Sequence, residues 1–197
     1  MSHYTAMFFH NLTEQVPKNI FVSYEQPEKK GRSELSQLSI DNAFKKPVRE
    51  TSNYAIYNNY KITLLNGKYA NNTGIVKTKI DPEKTFLVTN LERTLIDIAV
   101  RPIYSGGIFE VLKAYQNAKD SISVNKLKAY LTKLNFIYPY HQVIGFYLER
   151  AGIDEKRLAF IEKSREMTFD FYLTHDMKEC SYSERWKLYY PTILDNV

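Results

Sequence analysis

Along this chain the spacing of apolar residues changes character near residue 89. Before it, apolar and polar positions alternate. Asn19-Ile20-Phe21-Val22-Ser23-Tyr24 reads as a strand, and from Tyr54 to Leu65 the even positions Tyr54, Ile56, Tyr60, Ile62 and Leu64 are mostly apolar, the two-residue period of a strand with one covered face. Asn66-Gly67 and Asn71-Asn72-Thr73-Gly74 are turn sequences. Ile75 to Ile80 and Thr85 to Val88, separated by Asp81-Pro82, supply two more short strands. Two helices interrupt this strand-rich half. Ser2 to Asn11 carries Tyr4, Met7, Phe8 and Phe9, with Ser2 as its cap and Asn11 at a left-handed stop. A second runs from a cap at Ser33 through Phe44, after the polar loop of residues 25–33, and Pro47 breaks it.

From Val88 to Pro102 the period becomes helical. Thr89 and Glu92 have the S/T-x-x-E spacing of a capping box, so a helix begins near Asn90. Leu91, Leu95 and Ile98 fall on one face, and Ile96 and Val100 widen it, which predicts a helix buried on more than one side. Pro102 ends it. Arg93, Asp97 and Arg101 stand four residues apart and form a ladder of opposite charges. The ladder has two readings, a solvated ion-pair face or a stripe drawn inside by the breadth of the apolar face. Glu92, Arg93, Asp97 and Arg101 are the candidate binding or organising residues, with Arg93 and Asp97 favoured as partly buried organisers.

Further helices follow. Ser105-Gly106-Gly107 is a hinge into a helix with Ile108, Val111, Leu112 and Tyr115. Ser121 or Ser123 starts one with Leu127, Tyr130, Leu131 and Leu134. Tyr140 to Ala151 is a third, stopped by Gly152, and Asp154 caps a fourth with Leu158 and Ile161. Phe169, Phe171 and Leu173, then Trp186, Leu188 and Tyr190, return a strand pair at the end. Strands, then helices, then a strand pair predict an α+β fold, a mixed or antiparallel sheet region followed by a helical region. The expectation is one domain over residues 1–197, with sublobes of 1–89 and 90–197.

Composition narrows function by exclusion. The 197 residues suit one ordinary domain, with 44% apolar and 25% charged residues. Sixteen Tyr and eleven Phe accompany a single Trp, a skew that favours broad half-wet aromatic surfaces. The net charge of +5 admits acidic partners or nucleic acid, although the basic residues are dispersed. One cysteine, Cys180, rules out an intrachain disulfide and a cysteine-cluster zinc site. No run of 18 apolar residues and no signal-peptide layout is present, so the expected setting is the cytoplasm, away from membranes.

No catalytic constellation gathers. The four histidines, His3, His10, His141 and His175, match no ligand spacing, and Cys180 has no base beside it beyond His175 five residues earlier. Asp170 with Asp176-Met177-Lys178 has the acid, acid-x-Lys arrangement of metal-dependent nucleases. The same triplet spacing recurs at Glu28-Lys29-Lys30 and Asp154-Glu155-Lys156, which shows how readily chance produces it. The chain reads as a binding protein, with no catalytic residues, no metal and no cofactor expected.

Several segments together resemble the AbiEi family of type IV antitoxins. They are Ser2-His3-Tyr4-Thr5-Ala6 through His10-Asn11-Leu12-Thr13-Glu14-Gln15-Val16-Pro17, then Leu91-Glu92-Arg93-Thr94-Leu95-Ile96-Asp97, Gly106-Gly107 with Glu110-Val111, and Ile144-Gly145-Phe146-Tyr147-Leu148-Glu149. Their order and separation cover nearly the whole chain. Asn11 stands where the family usually has Gly, and preserves a left-handed turn. The resemblance implies an antitoxin that counteracts a cognate AbiEii-type nucleotidyltransferase toxin in an abortive-infection system. The family's N-terminal winged helix-turn-helix has no counterpart before Met1, so DNA binding and autorepression are not expected of this chain. The alternatives are a nucleic-acid-binding transcriptional regulator working with a separate DNA-binding domain, and a metal-dependent nuclease-like protein.

Overall fold

The protein is described by a computed structural model over residues 1–27, 34–79 and 83–197. In chain order its elements are α1 (His3–Phe9), β1 (Asn19–Glu25), α2 (Gln37–Phe44), β2 (Tyr54–Tyr57), β3 (Tyr60–Gly67), β4 (Ile75–Lys79), β5 (Thr85–Thr89), α3 (Leu91–Val100), α4 (Ile108–Ala118), α5 (Val124–Leu134), α6 (Tyr140–Arg150), α7 (Glu155–Glu162), β6 (Phe171–Tyr172), β7 (Cys180–Ser183) and β8 (Leu188–Pro191). The fold is mixed α+β. The chain divides into two compact units, Met1–Lys29 with Glu50–Asn135, and Lys30–Arg49 with Phe136–Val197. This grouping departs from sublobes meeting at residue 89. Helices α3 to α5 belong with the strands that precede them, because α3 packs on α1, α4 and α5 of the same unit, with Leu95, Ile96 and Ile98 fully buried.

In the first unit β3 is central, parallel to β1 and antiparallel to β2, and β4 pairs antiparallel with β5. The single strand expected from Tyr54 to Leu65 is a hairpin. Asn58 and Asn59 both take left-handed backbone, φ 44° and 66°, which a two-residue hairpin turn requires and which asparagine tolerates better than most residues. Asn66-Gly67, expected as a turn, instead closes β3 in register with Tyr24 and Glu25. The turn comes later, where Asn71, Asn72 and Gly74 have positive φ. Ile80, Asp81 and Pro82 lie outside the described residues, as do residues 28–33 and the expected cap Ser33. The helix placed after Ser33 begins at Gln37, where Ser36 and Ser39 cap each other reciprocally.

The opening helix packs firmly. Ala6 and Met7 are fully buried. Ser2 N–H donates to Phe21 O, 3.1 Å, and Phe21 N–H donates to Thr5 Oγ1, 2.8 Å. Ser2 does not cap the helix through its side chain; its hydroxyl bonds Ser23 Oγ and His3 Nδ1. Asn11 has φ 55°, the left-handed stop its sequence position predicts, and Leu12 N–H closes on Met7 O. One face of the β1–β3 sheet is covered by Phe21, Leu65 and Tyr104, with Tyr4 against them.

In the second unit β8 lies between β6, parallel to it, and β7, antiparallel. The returning pair is thus a three-stranded sheet. Cys180 to Ser183 escaped the sequence reading because its alternation rests on two residues only, Cys180 and Tyr182, in a run otherwise polar on both sides. Trp186, expected in a strand, stands outside one. Helix α2 is joined to β6 by the amide of Gln37, which accepts from Asp170 N–H and donates to Asp170 O, both 3.0 Å. Phe44 sits among Tyr138, Phe171, Tyr172 and His175.

Candidate functional site

Helix α3 begins one residue later than the capping-box spacing implies. Asn90 is the cap, its Oδ1 accepting from Arg93 N–H at 3.1 Å, while its Nδ2 donates to Tyr130 Oη at 2.8 Å. Thr89 turns its hydroxyl to Thr94 Oγ1 instead, 2.8 Å away. Glu92 therefore has no capping role. It is buried, accepts from Ser123 N–H at the cap of α5, and holds Lys126 Nζ at 2.9 Å. The pair raises the Lys126 pKa, first through its hydrogen bond to Glu92. Asn90→Ala is expected to cost about 1 kcal/mol of stability, the usual worth of an N-cap, and Thr89→Ala to leave the helix start in place. Urea denaturation of the two variants separates the two assignments.

The charge ladder is drawn inside at two of its three positions. Arg93 is only 7% exposed. Its Nε donates to Asp97 Oδ1 at 2.9 Å and its Nη1 to Thr73 O at 2.7 Å. Burial raises the Asp97 pKa, opposed by Arg93 and Arg101. Arg101 has left the ladder. As the C-cap residue it has φ −137° and ψ 70°, is exposed, and donates to Asn66 O at 3.2 Å.

Apart from those of Glu92, which run to α5, these bonds reach the end of β3 and the segment between β3 and β4. Arg101 holds Asn66 and Arg93 holds Thr73. Asn90 N–H donates to Gly74 O at 2.7 Å, and the Glu25 carboxylate accepts from Ala70 N–H and Asn72 N–H. A Cβ on Gly74 would stand 2.5 Å from Arg93 Cβ, so the glycine lets this segment lie directly on α3. His3 is enclosed nearby in charge terms. Burial, then Arg101 and Arg93, lowers its pKa to about 3, and its ring meets Tyr104 edge-on. His10 Nε2 donates to Thr89 O. The structure brings Glu92, Arg93 and Asp97 into buried bonds and leaves Arg101 as the exposed member of the set.

The second unit holds a constellation that sequence reasoning missed. A Cβ at Gly145 would lie 2.1 Å from Trp186 Cζ3, so the indole lies flat against α6 at a glycine. One turn on, Glu149 Oε2 accepts from Trp186 Nε1 at 2.8 Å. One turn back, Gln142 Nε2 reaches the carbonyls of Trp186, Lys187 and Phe169 at 2.7 to 3.0 Å. Gln142, Gly145 and Glu149 share a face through the i, i+3 and i+4 geometry of a helix. Arg185, beside the tryptophan, donates to Glu149, Glu155 and Glu162. The available signal was a lone Gly inside an otherwise apolar helical pattern, which commonly marks close packing.

Of the nuclease arrangement, one residue is bonded outside the set and the other two are bonded to each other. Asp170 Oδ1 accepts from Tyr182 Oη at 2.6 Å, and Asp176 pairs with Lys178 at 2.7 Å. His175 stacks on Phe44 with centroids 4.2 Å apart. Cys180 is exposed, and partial desolvation raises its thiol pKa, which lowers its thiolate fraction. Among the described residues no group of three or more His, Cys, Asp or Glu side chains is placed to hold a metal ion. No helix among them is long and apolar enough to cross a membrane.

No protein-family model matches the chain, and no curated protein matches it. Among solved structures it is similar to the crystal structure of the RV2827C protein from Mycobacterium tuberculosis, with a TM-score of 0.65 at 12% sequence identity. That similarity covers 98% of this chain and 62% of the mycobacterial one, so the chain spans less than two thirds of its length. At this identity the likeness is one of fold.

Proposed function

We propose that the protein is the antitoxin of a type IV toxin–antitoxin system, opposing a cognate AbiEii-type nucleotidyltransferase toxin in the cytoplasm and acting without catalysis or cofactor. The observation that carries this reading is that the segments resembling the AbiEi family each have a definite place in the fold. His3 to Leu12 forms α1 and its left-handed stop. Leu91 to Asp97 supplies the buried charged stripe of α3. Gly106 and Gly107, with φ 81° and 90°, turn the chain into α4. Ile144 to Glu149 supplies the glycine and the carboxylate that receive Trp186. These separate structural roles are what supports the reading.

Neutralisation is assigned to the surface around Arg101, the exposed end of the α3 stripe, with Arg93, held by Asp97, fixing Thr73 in the segment that follows β3. Co-expression with the cognate toxin tests this. Growth is expected to be restored by the intact chain and reduced by Arg101→Glu, with an unchanged far-ultraviolet circular dichroism spectrum. Failure of the intact, accumulating protein to restore growth overturns the antitoxin reading. Full rescue by Arg101→Glu removes Arg101 from it.

A further inference from the structure

The edge of the first unit's sheet exposes aromatic and basic side chains together. β2 is an edge strand whose four residues, Tyr54-Ala55-Ile56-Tyr57, are all exposed. Tyr54, Tyr57 and Tyr60 are 52%, 67% and 44% exposed. Tyr57 and Tyr60 are register partners either side of the Asn58-Asn59 turn, which puts them side by side on one face. On the other face Lys61 Nζ lies 4.5 Å from the Tyr54 ring centroid. Lys61 N–H bonds Lys18 O, so a second lysine flanks the same end of the sheet. Among the described residues no other aromatic ring packs against Tyr54, Tyr57 or Tyr60.

The charge there has one sign. β2 and β3 contain Lys61 and no carboxylate, Lys18 stands beside Lys61, and the single carboxylate of β1, Glu25, lies at the opposite end of the sheet in register with Gly67. Large exposed aromatic surface is costly in water unless it is used. An edge strand without a charge, proline or bulge also invites pairing with another chain. Two occupants fit an apolar edge in general, a strand from a second copy or a chain with planar bases. The lysine-only flank distinguishes them, since it supplies nothing to attract a second copy of a chain with net charge +5 and suits a polyanion.

We propose that the β2–β3 hairpin binds single-stranded RNA, with bases stacking on Tyr57 and Tyr60 and the phosphates passing round the exposed edge toward Lys61 on the opposite face and Lys18 at the same end of the sheet. Stacking on aromatic side chains with a cationic flank is the general chemistry of single-strand recognition. The amides of Asn58 and Asn59, exposed at the turn, offer both donors and acceptors to a ribose 2′-hydroxyl, a group that DNA lacks, and the RNA and DNA arms of the test below decide between the two strands. The site is independent of the α3 stripe and of the antitoxin reading.

Fluorescence anisotropy with a labelled 12-nucleotide mixed-sequence RNA, the same sequence as DNA, and the RNA duplex, at 50 and 200 mM salt, tests the proposal. The single-stranded RNA is expected to bind most tightly and to weaken at the higher salt. Tyr57→Ala with Tyr60→Ala is expected to weaken it at least tenfold, and Lys61→Glu to weaken it and flatten the salt dependence. The substituted side chains are exposed, and circular dichroism checks that each variant folds. No RNA binding at 50 mM salt overturns the proposal, as does binding that ignores the tyrosine substitutions or favours DNA or duplex. Light scattering that finds a dimer, lost in Ile56→Lys, assigns the edge to a second copy and overturns it as well.

Discussion

Gly145→Ala is expected to destabilise the second unit by about 3 kcal/mol or more, the upper range for forcing extra atoms into a packed interior. In an ordinary helix the change favours folding by about 1 kcal/mol, because alanine is the better helix former. Here the added methyl would stand 2.1, 2.4 and 2.5 Å from three ring atoms of a fully buried tryptophan. The indole is not free to retreat, since its N–H is held by Glu149 and the following backbone carbonyl by Gln142. Either the ring leaves its slot, losing those bonds and its buried area, or α6 moves away from the 186–188 segment. Trp186 is the sole tryptophan, so its fluorescence reads the slot directly. The variant is expected to show red-shifted emission and a lower urea midpoint. Wild-type emission and stability in the variant would exclude the slot as described.

Acid is expected to remove about 2 kcal/mol from each unit between pH 7 and pH 5, through one histidine in each. His3 in the first unit has its pKa lowered to about 3, by burial first and then by Arg101 and Arg93. His141 in the second is lowered to about 4, by burial and then by Arg165. A base with a depressed folded pKa binds its proton more readily in the unfolded chain. Its contribution is therefore complete above the ordinary value of 6.5 and is lost as the pH falls toward 3 and 4. Asp97 acts in the opposite sense. Its carboxyl is raised by burial, so the native state takes up that proton first and recovers part of the loss just above pH 3.8. Urea titrations at pH 7, 6 and 5 measure the dependence, and His141→Gln is expected to flatten that of the second unit. A flat profile in the unsubstituted protein between pH 7 and 5 would show that neither histidine is kept neutral by the fold.

Both effects, like the charged stripe of α3, depend on groups whose identity was visible in the sequence and whose surroundings were not. The apolar face of α3 could be read from Leu91, Leu95 and Ile98, because helical spacing is a local property. So could the left-handed stop at Asn11 and the caps at Ser123 and Asp154. The choice between Thr89 and Asn90 as the cap of α3 was lost for a local reason too. Two neighbouring residues could each accept the first-turn N–H, and Thr89 was claimed by Thr94. The Asn58-Asn59 turn was passed over because the apolar alternation continues in phase across it.

What the sequence determined by itself is most of the elements and the α+β class. Periodicity and capping act within a few residues, so they are written where they apply. Only the tertiary structure decided that Arg93 and Asp97 are buried clamps on the segment before β4 while Arg101 stays in solvent. It also decided that Gly145 is a slot for a side chain 41 positions away, and that the hairpin tyrosines lie uncovered. Burial and partner choice depend on what other segments bring to a residue. Contacts between residues far apart in the chain leave no period in the sequence to be read.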